Sequence, residues 1–171
     1  EFAKGILENE HWLPTPLLPA KSISRRLGIN LWLKREDCTP VASFKLRGAL
    51  IAMAKKSSEL TSMGVYVASA GNYGLAIAVA GHRHKVNVTV VVPKGATPSK
   101  LEHIKISGAN VIEYDSDFDG AKEFARKEAD RNGAAFWEDG AIDEMADGAG
   151  TIGLELINHP NPWDVVLVPI G

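Results

Sequence analysis

Apolar positions along the chain fall in short runs whose period switches between two and about 3.6, and the switches are marked by Gly and Pro. Ile29, Leu31 and Leu33 alternate with other residues, which predicts a strand over 29–34. From Ser43 to about Lys56 the apolar residues Leu46, Ala49, Leu50, Met53 and Ala54 recur at helical spacing. Val65 to Ala68 reads as a short apolar strand, and Asn72 to about His82 as an Ala- and Leu-rich helix. The β-branched run from Asn87 to Val92, closed by Pro93, has the composition of a strand buried on both faces. Thr97 and Pro98 suit the cap and first turn of a helix that Gly108 ends. Strands follow at 111–114 and 134–137, with a charged helix at 119–131 between them that Gly133 closes. A helix over 150–158 and a last strand over 165–168 complete the pattern.

Strand–helix alternation with short connections predicts an α/β fold with an open parallel sheet and helices on both faces. No internal repeat or low-complexity segment interrupts it. The last strand runs straight into Gly171, where ligand-binding loops of a parallel domain ordinarily begin. The sequence is therefore expected to be an N-terminal portion of a longer protein.

Composition changes this picture little. With 171 residues, 45% hydrophobic and 23% charged, the chain has the profile of a globular protein able to bury a core. Its 19 Lys+Arg and 21 Asp+Glu are scattered, so no basic tract suggests nucleic acid or a membrane surface. No apolar run is long enough to span a bilayer, and the first residues lack the pattern of a secretory signal. Cys38 is the only cysteine, which rules out an internal disulfide and points to a reducing, cytoplasmic location. His82, His84 and His103 have no partners at metal-ligand spacing and read as surface histidines, so no metal is expected. Asp115, Asp117 and Asp119 superficially suggest a calcium loop, but no Glu closes it, and helix capping explains them better.

Two stretches carry the chemistry. Ser43-Phe44-Lys45-Leu46-Arg47-Gly48-Ala49 sets a lysine beside an aromatic ring at a predicted helix start, with Ser43 as a candidate cap and Gly48 allowing close packing. Ser69-Ala70-Gly71-Asn72-Tyr73-Gly74 is a small-residue turn from strand to helix, where backbone N–H groups can hold an anion. A lysine near such a turn suits an aldehyde cofactor, since an amine must form and re-form an imine there.

With these motifs the chain resembles the fold type II family of pyridoxal-phosphate enzymes, most closely its serine/threonine dehydratase branch. Pro14-Thr15-Pro16-Leu17, Leu33-Lys34-Arg35-Glu36-Asp37 and Asp147-Gly148-Ala149-Gly150-Thr151 resemble further family markers in the family's order. The first two read as scaffold, with Lys34 and Arg35 in ion pairs. The third is read as a helix start bordering the active site or as a structural cap.

The resemblance implies pyridoxal 5'-phosphate as cofactor, bound by Phe44, Lys45, Asn72 and Gly171, the last as the first glycine of a phosphate loop. It implies that Lys45 is the Schiff-base lysine and the base that removes the substrate α-proton. Ser69, Ala70, Gly71, Asn72 and Tyr73 would wrap the substrate carboxylate. It further implies a small mobile domain over 64–141, inserted in a larger cofactor domain begun by 1–63 and resumed at 142–171. The implied reaction is β-elimination on a small hydroxy-amino acid such as serine or threonine, giving a 2-oxo acid and ammonia. β-Replacement, as in cysteine or threonine synthases, and a catalytically incomplete α/β fragment are the alternatives. Homodimers are usual in the family, although no residue pattern here marks a dimer surface.

The chain departs from the dehydratase pattern at two sites: Tyr73 stands where His is usual, and Ala42 where Gly is usual. Ala70 stands where serine racemases of the family carry a second Ser as opposite-face acid and base, and a methyl group cannot transfer a proton.

Overall fold

A computed structural model describes residues 2–169. Its elements, in chain order, are α1 (Phe2–Asn9), β1 (Leu17–Pro19), α2 (Lys21–Leu27), β2 (Trp32–Lys34), a 3-10 turn (Glu36–Cys38) and α3 (Lys45–Met63). They continue with β3 (Val65–Ala68), α4 (Asn72–Arg83), β4 (Val88–Pro93), α5 (Pro98–Ile106), β5 (Asn110–Tyr114), α6 (Phe118–Arg131), β6 (Ala135–Trp137) and α7 (Asp143–Ile157).

Strands β3 to β6 form one parallel sheet in the order β5-β4-β3-β6, in register from Val65 opposite both Val88 and Ala135. The β-branched residues of β4 fill its centre, which is why Val90, Val91 and Val92 are fully buried. Alternation along the strands divides the core in two. Val65, Val67, Val88, Val90 and Val92 join the cluster under α3, α4 and α5. Ala68, Val91 and the rings of Tyr66 and Phe136 meet the alanine stripe Ala121 and Ala125 of α6 on the other face.

The connections explain this division. From β3 through α4 to β4, and through α5 to β5, the chain advances in one direction; through α6 it returns to place β6 on the far side of β3. Right-handed crossovers in opposite directions put their helices on opposite faces. The sheet therefore has a switch point between β3 and β6, and the loops leaving their carboxyl ends part there.

Several expectations are corrected. The strand expected over 29–34 is only Trp32–Lys34, and it pairs antiparallel with β1, an element not foreseen. Ile29 and Leu33, two of the alternating apolar residues, are about half exposed. Helices α1 and α2 and the 3-10 turn were not foreseen either. Helix α3 begins at Lys45 and runs to Met63, past the polar stretch at Lys55–Glu59 that hides its periodicity, until Leu60 is buried again. Ser43 does not cap it in the usual way: Phe44 holds the cap position, and the Ser43 hydroxyl accepts a 3.3 Å bond from the Lys45 N–H. Helix α7 starts at Asp143, so the Asp147–Thr151 motif lies inside it rather than at its start. Residues 165–168 form no strand; Val165 and Leu167 are exposed, and no neighbouring strand among the described residues pairs with them.

Candidate active site

Lys45 is the first residue of α3 and its side chain is about a quarter exposed. Its Nζ donates a 2.6 Å hydrogen bond to Oδ2 of Asp139, in the loop that leaves β6. The rings of Phe44 and Tyr73 each stand 5.7 Å from the amine, measured to their centroids. Phe44, Lys45 and Tyr73, brought forward by the sequence, therefore meet at the switch point of the sheet, where open α/β folds bind ligands.

Ser69, Ala70 and Gly71 carry the chain from β3 into α4. The Ser69 hydroxyl accepts a 3.2 Å bond from the Gly71 N–H, which tightens the turn. Leu75 N–H bonds the Gly71 carbonyl at 3.3 Å, leaving the N–H groups before it without intrahelical acceptors and free to meet an anion. Asn72, the first residue of α4, is exposed. A Cβ on Gly74 would lie 2.6 Å from the Ser69 carbonyl oxygen, so this turn accepts no side chain there; Gly71 is under no such pressure.

Tyr73 is buried, and its hydroxyl has no hydrogen-bond partner. Burial, reinforced by the charges of Asp139 and Glu138, pushes the phenol well above its ordinary range and keeps it neutral. Glu138 is claimed by Lys122 and Arg126 at 3.1 Å each, and the Lys122 hydrogen bond is the main reason its carboxyl lies below the usual range.

Beneath the lysine, α3 crosses α7 closely. A Cβ on Gly48 would come within 2.5 Å of the Met145 Cα, and one on Gly148 within 2.2 Å of the Gly48 nitrogen. This closeness sets the fully buried Arg47 among Glu36, Glu155, Thr15 and Thr151, at 2.6–3.1 Å. Arg35 pairs with Asp37 at 2.6 Å and Lys34 pairs with Glu155, so both cations of the expected scaffold marker are in ion pairs. Asp117 caps α6 by accepting from the Gly120 N–H at 2.9 Å, as the capping reading of the Asp cluster required.

Gly171 lies outside the described residues. Asp139 was missed by the sequence reading, although its place just past the end of a strand was a usable signal once β6 was assigned. Two concavities lie elsewhere, one between α1 and α7 and one between the β1–β2 pair and residues 156–167, and neither includes Lys45.

Comparison with known proteins gives a consistent result. A family model described as pyridoxal-phosphate dependent enzyme matches residues 9–171. A threonine dehydratase of Nicotiana attenuata is 38% identical over 159 residues, covering 93% of this chain and 26% of that protein. Threonine dehydratase 1 of Solanum lycopersicum, biosynthetic and chloroplastic, is 36% identical over 175 residues, covering 100% of this chain and 29% of the relative. The structure of maize serine racemase superposes with a TM-score of 0.84 at 27% identity, covering 91% of this chain and 47% of that one. The chain thus spans between a quarter and a third of the length of these curated relatives.

Proposed function

The chain belongs to the pyridoxal-phosphate dependent enzyme family, and from that premise we propose that it forms part of an enzyme catalysing β-elimination on a small hydroxy-amino acid such as serine or threonine. The observation that carries the reading is the partly exposed Lys45 amine, set at the sheet's switch point beside the free N–H end of α4. The dehydratase names of the relatives support the reaction class.

The residues fit the cofactor in kind. The amine is accessible, the helix end suits an anion, and the buried Tyr73 hydroxyl waits without a partner. Phe44, Lys45, Asn72 and Gly171 are assigned to holding pyridoxal phosphate, which would supply an electron sink at the substrate Cα. Lys45 would anchor the cofactor through Nζ, and its amine would take the substrate α-proton. Ser69, Ala70, Gly71, Asn72 and Tyr73 surround the substrate carboxylate, and the N–H groups of the turn fix its orientation so that the Cα–H bond faces the amine.

Residues 64–141 are assigned to a mobile domain within the larger one begun by 1–63 and resumed at 142–171, closing over the substrate to exclude water. No helix among the described residues is long and apolar enough to cross a membrane. The similarity to serine racemase raises racemisation as a second reading, but Ala70 offers no hydroxyl to return a proton on the opposite face.

The test is release of 2-oxo acid from threonine and serine by the natural full-length protein carrying this sequence. Lys45→Ala is expected to lower the rate by at least about 10³-fold. An unchanged rate removes the mechanism, and D-serine formed in place of the 2-oxo acid replaces it with racemisation.

A further inference from the structure

We infer that Asp139 is a positioning residue for Lys45: its carboxylate holds the lysine amine whenever that amine is not covalently engaged, and it stabilises the ammonium formed when the amine takes the α-proton. The inference rests on the reading of Lys45 given above. Nothing in the sequence resemblance singles out Asp139.

Three observations carry it. Asp139 is separated from Lys45 by 94 positions, yet Nζ and Oδ2 stand 2.6 Å apart, a charge-assisted hydrogen bond that the meeting of α3 with the β6 loop creates. Among the described residues Asp139 has no other ion-pair partner, whereas the adjacent Glu138 is bound by two cations of α6. The amine otherwise faces the Phe44 and Tyr73 rings, each 5.7 Å away to its centroid, so among the described residues Asp139 is its one hydrogen-bonding partner. A lysine has three donors on a flexible stem, so a reactive lysine needs such a partner to define where its lone pair or its protons point.

The proton balance is simple. The Cα–H bond breaks, its electron pair remains with the substrate carbon, and the proton goes to the Nζ lone pair. The new ammonium then donates to the Asp139 carboxylate already in place, so charge that develops during the step meets a preorganised acceptor. Asp139 thus plays the orienting part that a carboxylate plays toward a catalytic base.

Trace acetylation with acetic anhydride, followed by peptide mapping, tests the pair without cofactor. The exposed Lys100 serves as internal reference. Asp139→Asn is expected to raise labelling at Lys45 relative to Lys100 by at least about threefold, because an amine freed from a carboxylate is more available as a nucleophile, and Asp139→Glu is expected to restore it. In the full-length, cofactor-loaded protein, Asp139→Asn is expected to lower kcat by about 10- to 100-fold with KM changed less than about threefold. An unchanged labelling ratio in a variant of unaltered circular dichroism overturns the inference, and so does an unchanged kcat. If the wild-type protein carries no cofactor adduct on Lys45, the Lys45 reading itself has failed; a normal adduct with labelling indifferent to Asp139 refutes only the present inference.

Discussion

Ala42 has a φ of 50°, in the left-handed region that a Cβ makes costly, and it stands directly before Ser43, Phe44 and Lys45. The departure noted in the sequence, Ala where the dehydratase pattern has Gly, is thereby given a physical meaning: the turn that aims Lys45 is one that glycine adopts freely and alanine adopts under strain. The hydrogen bonds of Thr39, whose hydroxyl donates to the Ser43 carbonyl and accepts from the Ser43 N–H at 2.8 and 2.9 Å, hold the turn in place. Ala42→Gly is expected to stabilise the fold by about 1 kcal/mol, the relief of left-handed strain exceeding the added freedom of the unfolded chain. A urea titration checks this, and a lowered midpoint would show that the strain is absent. Tyr73 is the other departure. Its hydroxyl is an orphan in a buried site, a group whose desolvation is tolerated only where something is gained in return.

At the scale of elements, the crossing of α3 and α7 matters most for the site, because it fixes the helix that begins with Lys45. Gly48 and Gly148 bring the two backbones together, and Arg47 then satisfies its guanidinium on acids from two segments, Glu36 and Glu155. A cation buried in this way is tolerated because the acids are in place; removing one partner of a buried pair costs about 3–5 kcal/mol. The network also makes α7 acid-sensitive. Burial acts to raise the Glu155 carboxyl, but the hydrogen bonds from Arg47 and then Lys34 outweigh it and hold the group below its ordinary value of 4.5. Glu144, on the same helix, is also held below 4.5, the hydrogen bonds to its own backbone and to Lys56 outweighing its burial. As pH falls through 4.5, the unfolded chain binds these protons while the folded chain does not yet, so the contribution of both groups is present above 4.5 and is lost as pH falls to their lower folded values. Urea midpoints at about pH 6.5 and about pH 3.5 are therefore expected to differ less in Glu155→Gln than in the parent chain. An equal difference in the two proteins would remove Glu155 from the acid response.

For the whole molecule, the parts legible in the sequence were those that local pattern determines. Strands β3 and β4 are mainly apolar runs between Gly, Pro and polar residues, and α6 is a charged stretch that Gly133 closes, so neither reading needed tertiary knowledge. Helix α1 and strand β1 were not legible, because a helix of 8 residues containing Gly5 and a strand of 3 residues ending in Pro19 carry too little pattern. Residues 165–168 misled in the opposite sense: a β-branched run is a strand only when a neighbour pairs with it. The site divides in the same way. Lys45, Phe44 and the Ser69–Gly74 turn announced themselves by local motif, whereas Asp139 and the buried role of Arg47 depend on partners 94 and up to 108 positions away, which no spacing rule reaches. The central claim is that this fold presents one lysine, Lys45, to pyridoxal phosphate. Borohydride reduction of the protein in the presence of pyridoxal phosphate, followed by peptide mass mapping, tests it most directly. The account predicts a pyridoxyl group on Lys45 and on no other lysine at low stoichiometry; an adduct spread over surface lysines such as Lys100 and Lys127, with Lys45 unmodified, would contradict it.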